Sequence, residues 1–219
     1  VVLRNVSRVF QRANDSIHVL NLVSDGTLVY ANGRVTCVDA YHVCHDQVPP
    51  HALSVHLHGG TVLPGLTSYG STLGLSDVPS ESSASNGQDP SLLTRHLYLD
   101  TKRLVPRAED GLIFGGHALR RAHASGVTTA VNVPATIGMF GGVSTHFDTG
   151  ARTVLDAHSV RTSEVALHVR LAYPIDDHEP SLATQLALLR SLLRNPPPGS
   201  VEWHRVSRGE WPLVVKTNA

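Results

Sequence analysis

His56-Leu57-His58 is the first group in this chain whose residue types and spacing could do chemistry. Side chains two apart on a strand leave the same face, so such imidazoles can reach one ion. A pair falls short of the three protein ligands of a catalytic zinc, and no Cys-x-x-Cys supplies more. Ser144, His146 and Asp148 lie close together in GVSTHFDTG. The members of a catalytic triad meet in space, so adjacency along the chain does not identify one. There is no Gly-x-Ser-x-Gly elbow. GGVS lacks the Gly-Lys-Ser/Thr ending of a phosphate loop. His117 and His123 stand six apart in a helical pattern, on different faces, and form no ligand pair. His168, in VALHVRLA, is flanked by apolar residues on a strand-like stretch.

The elements that must position these residues are read from periodicity and turn signals. VVLRNVSRVF, SIHVLNLVSDG, TLVYANG and RVTCVD read as strands separated by Asp25-Gly26 and Asn32-Gly33, dipeptides that favour tight hairpins. Residues 1–39 are therefore expected to form a small antiparallel unit. A Pro- and His-containing loop over 41–52 and a short strand, LSVHLH, follow. The polar stretch 76–91 reads as a surface loop. GLIFGGHALRRAHASG reads as a helix stopped by Gly126, and VTTAVNVP as a buried strand closed by Pro134. SEVALHVRLAY is another strand. PSLATQLALLRSLLRN places Leu182, Leu186, Leu189 and Leu193 on one face of an amphipathic helix ended by PPPG. WPLVVKTNA is the last strand. Strand–helix–strand alternation argues for an α/β arrangement with parallel strands.

Bulk composition narrows the function classes. Hydrophobic residues make up 41% and charged residues 16%, which suits a globular core. Eighteen basic and 18 acidic residues give a formal charge of +0, so nucleic acid is not an implied partner. No apolar run approaches the ~20 residues of a membrane span. Cys37 and Cys44 could close a small loop or stay as two free thiols. Asn5-Val6-Ser7 and Asn14-Asp15-Ser16 are formal glycosylation sequons that permit secretion without indicating it, and the compartment stays unassigned.

Several segments carry a family resemblance: NVSRVF, the hairpins SDGTLVY and NGRVTCVD, HGGTVLPGL, GVTTAVNVP and FGGVSTHFDTGA. With them the chain resembles the amidohydrolase superfamily, particularly its imidazolonepropionase-like members. It is also similar to a divergent branch grouped with deacetylase-type carbohydrate esterases, in which the stretch after Pro-Gly-Leu ends in Leu-Gly-Leu. The resemblance implies an N-terminal part of a composite β-sandwich, residues 1–63. It implies next an incomplete (β/α)8, TIM-like barrel over residues 64–219, reached through Pro64-Gly65-Leu66. Expected barrel strands are Thr67–Ser71, Val127–Val133, Val165–Leu171 and Leu213–Lys216. A complete barrel takes ~250 residues, so the chain is expected to be a fragment of a longer protein or a truncated gene product.

In metal-dependent members the turn continues Pro-Gly-Leu-Ile-Asp-x-His-x-His. A divalent, zinc-like metal held there lowers the pKa of water and polarises a carbonyl. Here Ser68 falls at the Asp position and Gly70 and Thr72 at the two His positions, so the first metal pair is missing. His56 and His58 precede the turn and are read as partly exposed strand histidines. Two tentative metal candidates remain, His168 and Lys216. His168 either points into the barrel mouth or is a hydrogen-bonded core histidine. Lys216 either replaces the ligand His that relatives carry in a similar segment or matches the carboxylated lysine of a fourth barrel strand. It reads equally as a lysine reaching solvent.

The expected function is therefore that of an amidohydrolase-like hydrolase, in the parent protein, acting on non-peptide carbon–nitrogen bonds. Its substrate would be a small molecule with an amide-type carbonyl. The alternative is a catalytically degenerate binding protein, and for these 219 residues alone no metal-dependent turnover is expected.

Overall fold

The computed structural model describes residues 1–13, 16–22, 25–78, 81, 105–134, 139–174 and 180–217. It is a mixed α/β structure built mostly from short sheets with few helices. The chain divides into two compact units, Val1–Pro64 and Gly65–Ala219. Most of the loop expected over 76–91, and the second sequon at Asn14, lie outside the described residues.

The first unit is a five-stranded sheet of β1 (Val2–Ala13), β2 (Ser16–Asn21), β3 (Gly26–Ala31), β4 (Arg34–Ala40) and β5 (Ser54–Val62). β1 pairs antiparallel with β2 through its C-terminal half and with β3 through its N-terminal half, and β3 pairs antiparallel with β4. β5 adds to β1 in parallel. Asn32 and Gly33 both have positive φ, +51° and +78°, as the two-residue turn between β3 and β4 requires. Gly26 is needed for space: a Cβ there would sit 2.1 Å from the Val6 carbonyl oxygen. Val6, Val9 and Leu28 form the core of the unit, flanked by Leu3, Leu22, Val38, Leu57 and Val62. The stretch expected as a loop after β4 holds a short helix, α1 (Tyr41–Cys44), and a 3-10 turn (His45–Gln47). Cys37 and Cys44 are joined by a disulfide that ties α1 to β4. Arg4 of β1 lies 3.9 Å over the ring of Tyr41 in α1.

The second unit contains two small sheets. One has the order β10 (Val160–Thr162), β9 (Thr145–Asp148), β7 (Val127–Asn132) and β6 (Leu66–Tyr69). The other runs β12 (Leu213–Thr217), β11 (Leu167–Leu171) and β8 (Phe140–Val143). The four expected strands are present with slightly different ends, and they pair in parallel two by two, β6 with β7 and β11 with β12. The purely parallel alternation needs correction. The Gly-rich FGGVSTHFDTGA, to which periodicity assigned no element, forms β8 and β9, and these pair antiparallel with β11 and β7.

Helices cover these sheets. The helix expected over 111–126 is confined to α2 (His117–Ala124), because Gly115 takes φ +71° and breaks the run before it begins. Leu119 of α2 packs with Ala130 of β7 and Phe147 of β9. The larger core joins Val143, Leu167, Val169 and Leu171 to Leu189 and Leu192 of α3 (Leu182–Arg194) and Trp203 and Val206 of α4 (Val201–Ser207). α4 was not anticipated, since its seven residues are too few to show periodicity. The buried face of α3 is also rotated from the expected one. Gln185, Leu189 and Leu192 are buried, whereas Leu186 is 39% exposed. Gln185 sets that rotation: its side-chain amide accepts from the Ala172 N–H and donates to the Ala172 carbonyl just past β11 and to the Pro180 carbonyl just before α3. Glu164 accepts from both Arg107 and Arg205, and Arg107 also reaches Glu202 at 3.3 Å, linking α4 to the segments that carry Arg107 and Glu164. No helix among the described residues is long and apolar enough to cross a membrane.

The rotated face of α3 has a direct check. Leu192→Ala should cost about 2–5 kcal/mol and Trp203→Ala about 3–5 kcal/mol. Leu186→Ala should cost well under about 1 kcal/mol. Urea unfolding midpoints of the three variants measure the contrast, and equal losses at Leu186 and Leu192 would contradict the observed face.

A candidate binding pocket at the strand ends

Because β6 and β7 run in the same direction, as do β11 and β12, the C-terminal end of each strand lies beside that of its partner. A cavity of about 300 Å³ opens at these ends, the lower size range of small-molecule sites. It is lined by Gly70, Ser71 and Thr72 after β6 and by Val133 and Pro134 after β7. Gly141 of β8, His168, Val169 and Arg170 of β11, and Lys216 of β12 complete the lining.

The turn after β6 is held by a chain of hydrogen bonds. The Gly70 N–H donates to the Val131 carbonyl at 2.9 Å, with Gly70 at φ +70°. Ser68 Oγ donates to Ser71 Oγ at 2.8 Å, and Ser71 Oγ donates to Asn132 Oδ1 at 3.2 Å. The fully buried Asn132 then donates to the Leu73 carbonyl at 2.5 Å. The positions where a metal pair would be expected, Gly70 and Thr72, thus belong to a turn fastened to the end of β7.

His168 and Lys216, the two residues singled out as tentative ligands, line this same cavity. His168 is 8% exposed, and its Nε2 is buried without a hydrogen-bond partner. Burial pulls its pKa down to about 4, so the ring is neutral at pH 7. Gly141 lets β8 lie close against it, since a Cβ there would come within 3.1 Å of His168 Cβ. The Tyr69 ring lies 6.2 Å away, centroid to centroid. Lys216 is exposed and stands directly across from Arg170 in the β11–β12 register, as Val214 stands across from His168. Residues two apart on a strand share a face, so Arg170 shares that of His168. Sequence reasoning missed Arg170, although its spacing of two from His168 was the available signal. Asn132 and Gly141 were missed because only pairing with β6 and β11 gives them a role.

The donor set does not fit a divalent metal. The described lining offers one imidazole, hydroxyls, an ammonium and a guanidinium. Among the described residues no three His, Cys, Asp or Glu side chains come together to hold an ion. A catalytic zinc takes three protein ligands, more than this described set supplies.

The other sequence candidates do not converge on this cavity. His56 and His58 lie exposed on β5 of the first unit. Their rings are 4.3 Å apart, and the His58 N–H donates to His56 Nδ1 at 3.3 Å. His58 and Gly59 take φ +50° and +81°, a bulge that shifts the β1–β5 register. Ser144, His146 and Asp148 form no triad. Ser144 Oγ donates to the Ala166 carbonyl at 3.4 Å. Burial would raise the Asp148 carboxyl, but the Gly150 N–H and Arg161 at 2.9 Å outweigh it and hold it below the usual range. Burial lowers the His146 pKa, with Arg161 adding to the effect. His123 Nδ1 pairs with Thr149 Oγ1 at 3.1 Å, apart from His117.

The depressed His168 pKa sets a pH dependence of stability. Between about pH 6.5 and 4 the unfolded chain takes up a proton that the folded chain refuses, so stability falls as pH drops through this window and levels off below it. Allowing for partial hydration of the ring, the loss is on the order of 2 kcal/mol. His168→Phe should flatten this part of the acid slope, as urea midpoints between pH 7 and 4 would show.

No family model matches the chain. It is 32% identical over 185 residues to the amidohydrolase tasK of Hapsidospora irregularis, a match covering 78% of this chain and 16% of that protein. The fold is similar to that of the crystal structure of an amidohydrolase from Thermotoga maritima MSB8, with a TM-score of 0.56 and 20% sequence identity. That likeness covers 95% of this chain and 45% of the other. The chain therefore spans well under two thirds of either relative. Sequence and fold together support the amidohydrolase family, in general terms, for this chain.

Proposed function

We propose that this chain forms part of an amidohydrolase-type hydrolase that acts on non-peptide carbon–nitrogen bonds of small molecules. The observation that carries the reading is the pocket. Two parallel strand pairs open a cavity at their C-terminal ends, where barrel enzymes of the β/α type keep their active sites. In this reading β6, β7, β11 and β12 are the first strands of an incomplete (β/α)8 barrel, and the first unit is part of a composite sandwich. The Pro64-Gly65-Leu66 turn and Gly126-Val127-Thr128-Thr129 support an imidazolonepropionase-like relationship, and with it cyclic amides or N-acyl amines as substrates.

In the lining, Thr72 can donate a hydrogen bond to a substrate carbonyl, and Lys216 and Arg170 can oppose negative charge that develops on its oxygen. His168 is the described lining group that carries an unprotonated ring nitrogen at neutral pH and can accept a proton. Any metal the family chemistry uses would need ligands beyond those in the described lining.

A second reading is a binding protein that hydrolyses nothing, and one observation favours it. Gly70 and Thr72 stand where the family's His-x-His pair would be. Assays of the full-length protein against cyclic amides and N-acyl amines, with zinc or manganese added, separate the two. The hydrolase reading expects release of amine and carboxylate, and His168→Gln should lower kcat by about 10²-fold or more. Absence of turnover across the panel would overturn it in favour of binding. For the 219-residue chain alone, metal analysis should find zinc and manganese below stoichiometric amounts.

A further inference from the structure

A bulge in β1 and the disulfide between β4 and α1 together point to a modification of the first unit. We propose that Asn5 is a site of N-linked glycosylation and that the chain folds in an oxidising, glycosylating compartment. No residue of the pocket takes part, so the hydrolase reading stands or falls separately.

Asn5-Val6-Ser7 is an acceptor triplet for oligosaccharide transfer, and the fold decides whether such a triplet is usable. Leu3 and Val6 pack into the same core although they stand three apart on β1. Strict alternation would put them on opposite faces, so the strand carries an extra residue between them. Asn5 is at that place, with φ +53°, and the β1–β5 register shifts between Arg4 and Val6. Asparagine adopts this left-handed conformation more readily than most residues. Across from it on β5, His58 and Gly59 also take positive φ. A Cβ on Gly59 would meet nothing within 4 Å, so the bulge has open space beside it. Asn5 is partly exposed, and its side-chain amide hydrogen-bonds to no other described residue. A sugar on that amide therefore displaces no contact that the unit uses.

The second observation is the oxidation state. Both cysteines of the chain are joined in the Cys37–Cys44 disulfide, with Cys44 fully buried. Structural disulfides persist in secretory compartments and are rare in the cytosol. In eukaryotic cells the same compartments transfer oligosaccharide to Asn-x-Ser/Thr.

In the transfer, Asn5 Nδ2 attacks the anomeric carbon of a lipid-linked oligosaccharide. A C–N bond forms, the C–O bond to the lipid diphosphate breaks, and one amide proton is lost as the diphosphate leaves. Neither oxidant nor reductant is needed. Ser7 Oγ, which the transferase must read, donates to the Gly60 carbonyl at 3.2 Å in the folded unit. Gly60 lies 53 residues further along the chain, so transfer precedes the arrival of β5 on β1.

Peptide mapping of the full-length protein from the cells that naturally make it tests the proposal. The protein is alkylated without reduction, then treated in heavy-oxygen water with an amidase that cleaves the Asn–glycan bond. Conversion of Asn5 to heavy-oxygen-labelled Asp is expected, with Cys37 and Cys44 unalkylated. In the same cells Ser7→Ala should abolish the label and remove one glycan's mass, whereas Ser7→Thr should keep both. The serine is varied because Asn5→Gln would place a less tolerant residue at positive φ. An unlabelled Asn5 overturns the proposal, whether or not another asparagine is labelled. Label that persists in Ser7→Ala overturns it too. So does alkylation of Cys37 and Cys44, since the chain then did not fold in an oxidising compartment.

Discussion

Parallel pairing of β11 with β12 places His168 across from Val214 and Arg170 across from Lys216, and the chemistry of the pocket depends on that register. A slip of one residue would turn each side chain of β12 to the other face and remove Lys216 from the cavity. The register is held from behind by burial. Leu167, Val169 and Leu171 face Leu189, Leu192, Trp203 and Val206, so any slip would expose the largest apolar cluster in the unit. The alternation along β11 therefore serves two purposes, with core residues on one face and pocket residues on the other.

The turn after β6 shows how a missing metal pair can leave the backbone intact. Gly70 has φ +70°, a conformation in which a histidine would be strained, and its N–H is tied to Val131. Ser68, Ser71 and Asn132 link this turn to the end of β7 through side-chain hydrogen bonds. A buried asparagine that uses both ends of its amide gives the loop a rigid anchor without any ion. The electrostatics agree with this arrangement. Burial keeps His168 neutral, and the described lining offers no carboxylate to draw a divalent cation.

The polar residues that first attract attention in the sequence have mostly structural explanations. His56 and His58 lie at a bulge where β5 changes its register against β1. Asp148 is occupied by Arg161 and a backbone amide, and Ser144 by a carbonyl on the neighbouring segment. The Ser144 and Asp148 side chains each satisfy a nearby donor or acceptor, which is what buried or half-buried polar groups do in the absence of a ligand. His168 and His146 differ, since the Nε2 of each is buried without such a partner.

Local sequence determined the strands of the first unit, the hairpin at Asn32-Gly33, the strands β7, β11 and β12, the C-terminal end of α2 and the ends of α3. These follow from alternation, glycine and proline, all of which act over a few residues. It also determined that Gly70 and Thr72 cannot supply a metal pair. Tertiary structure decided what those signals leave open. It joined Cys37 to Cys44, inserted β8 and β9 antiparallel among parallel strands, and turned α3 so that Gln185 rather than Leu186 faces inward. It also brought Thr72, His168, Arg170 and Lys216 to one cavity. Periodicity shows which face a residue occupies but not which strand will lie beside it. The pocket's residues are separated by up to 146 positions in the chain and meet only because the buried backbone groups of their strands pair with one another.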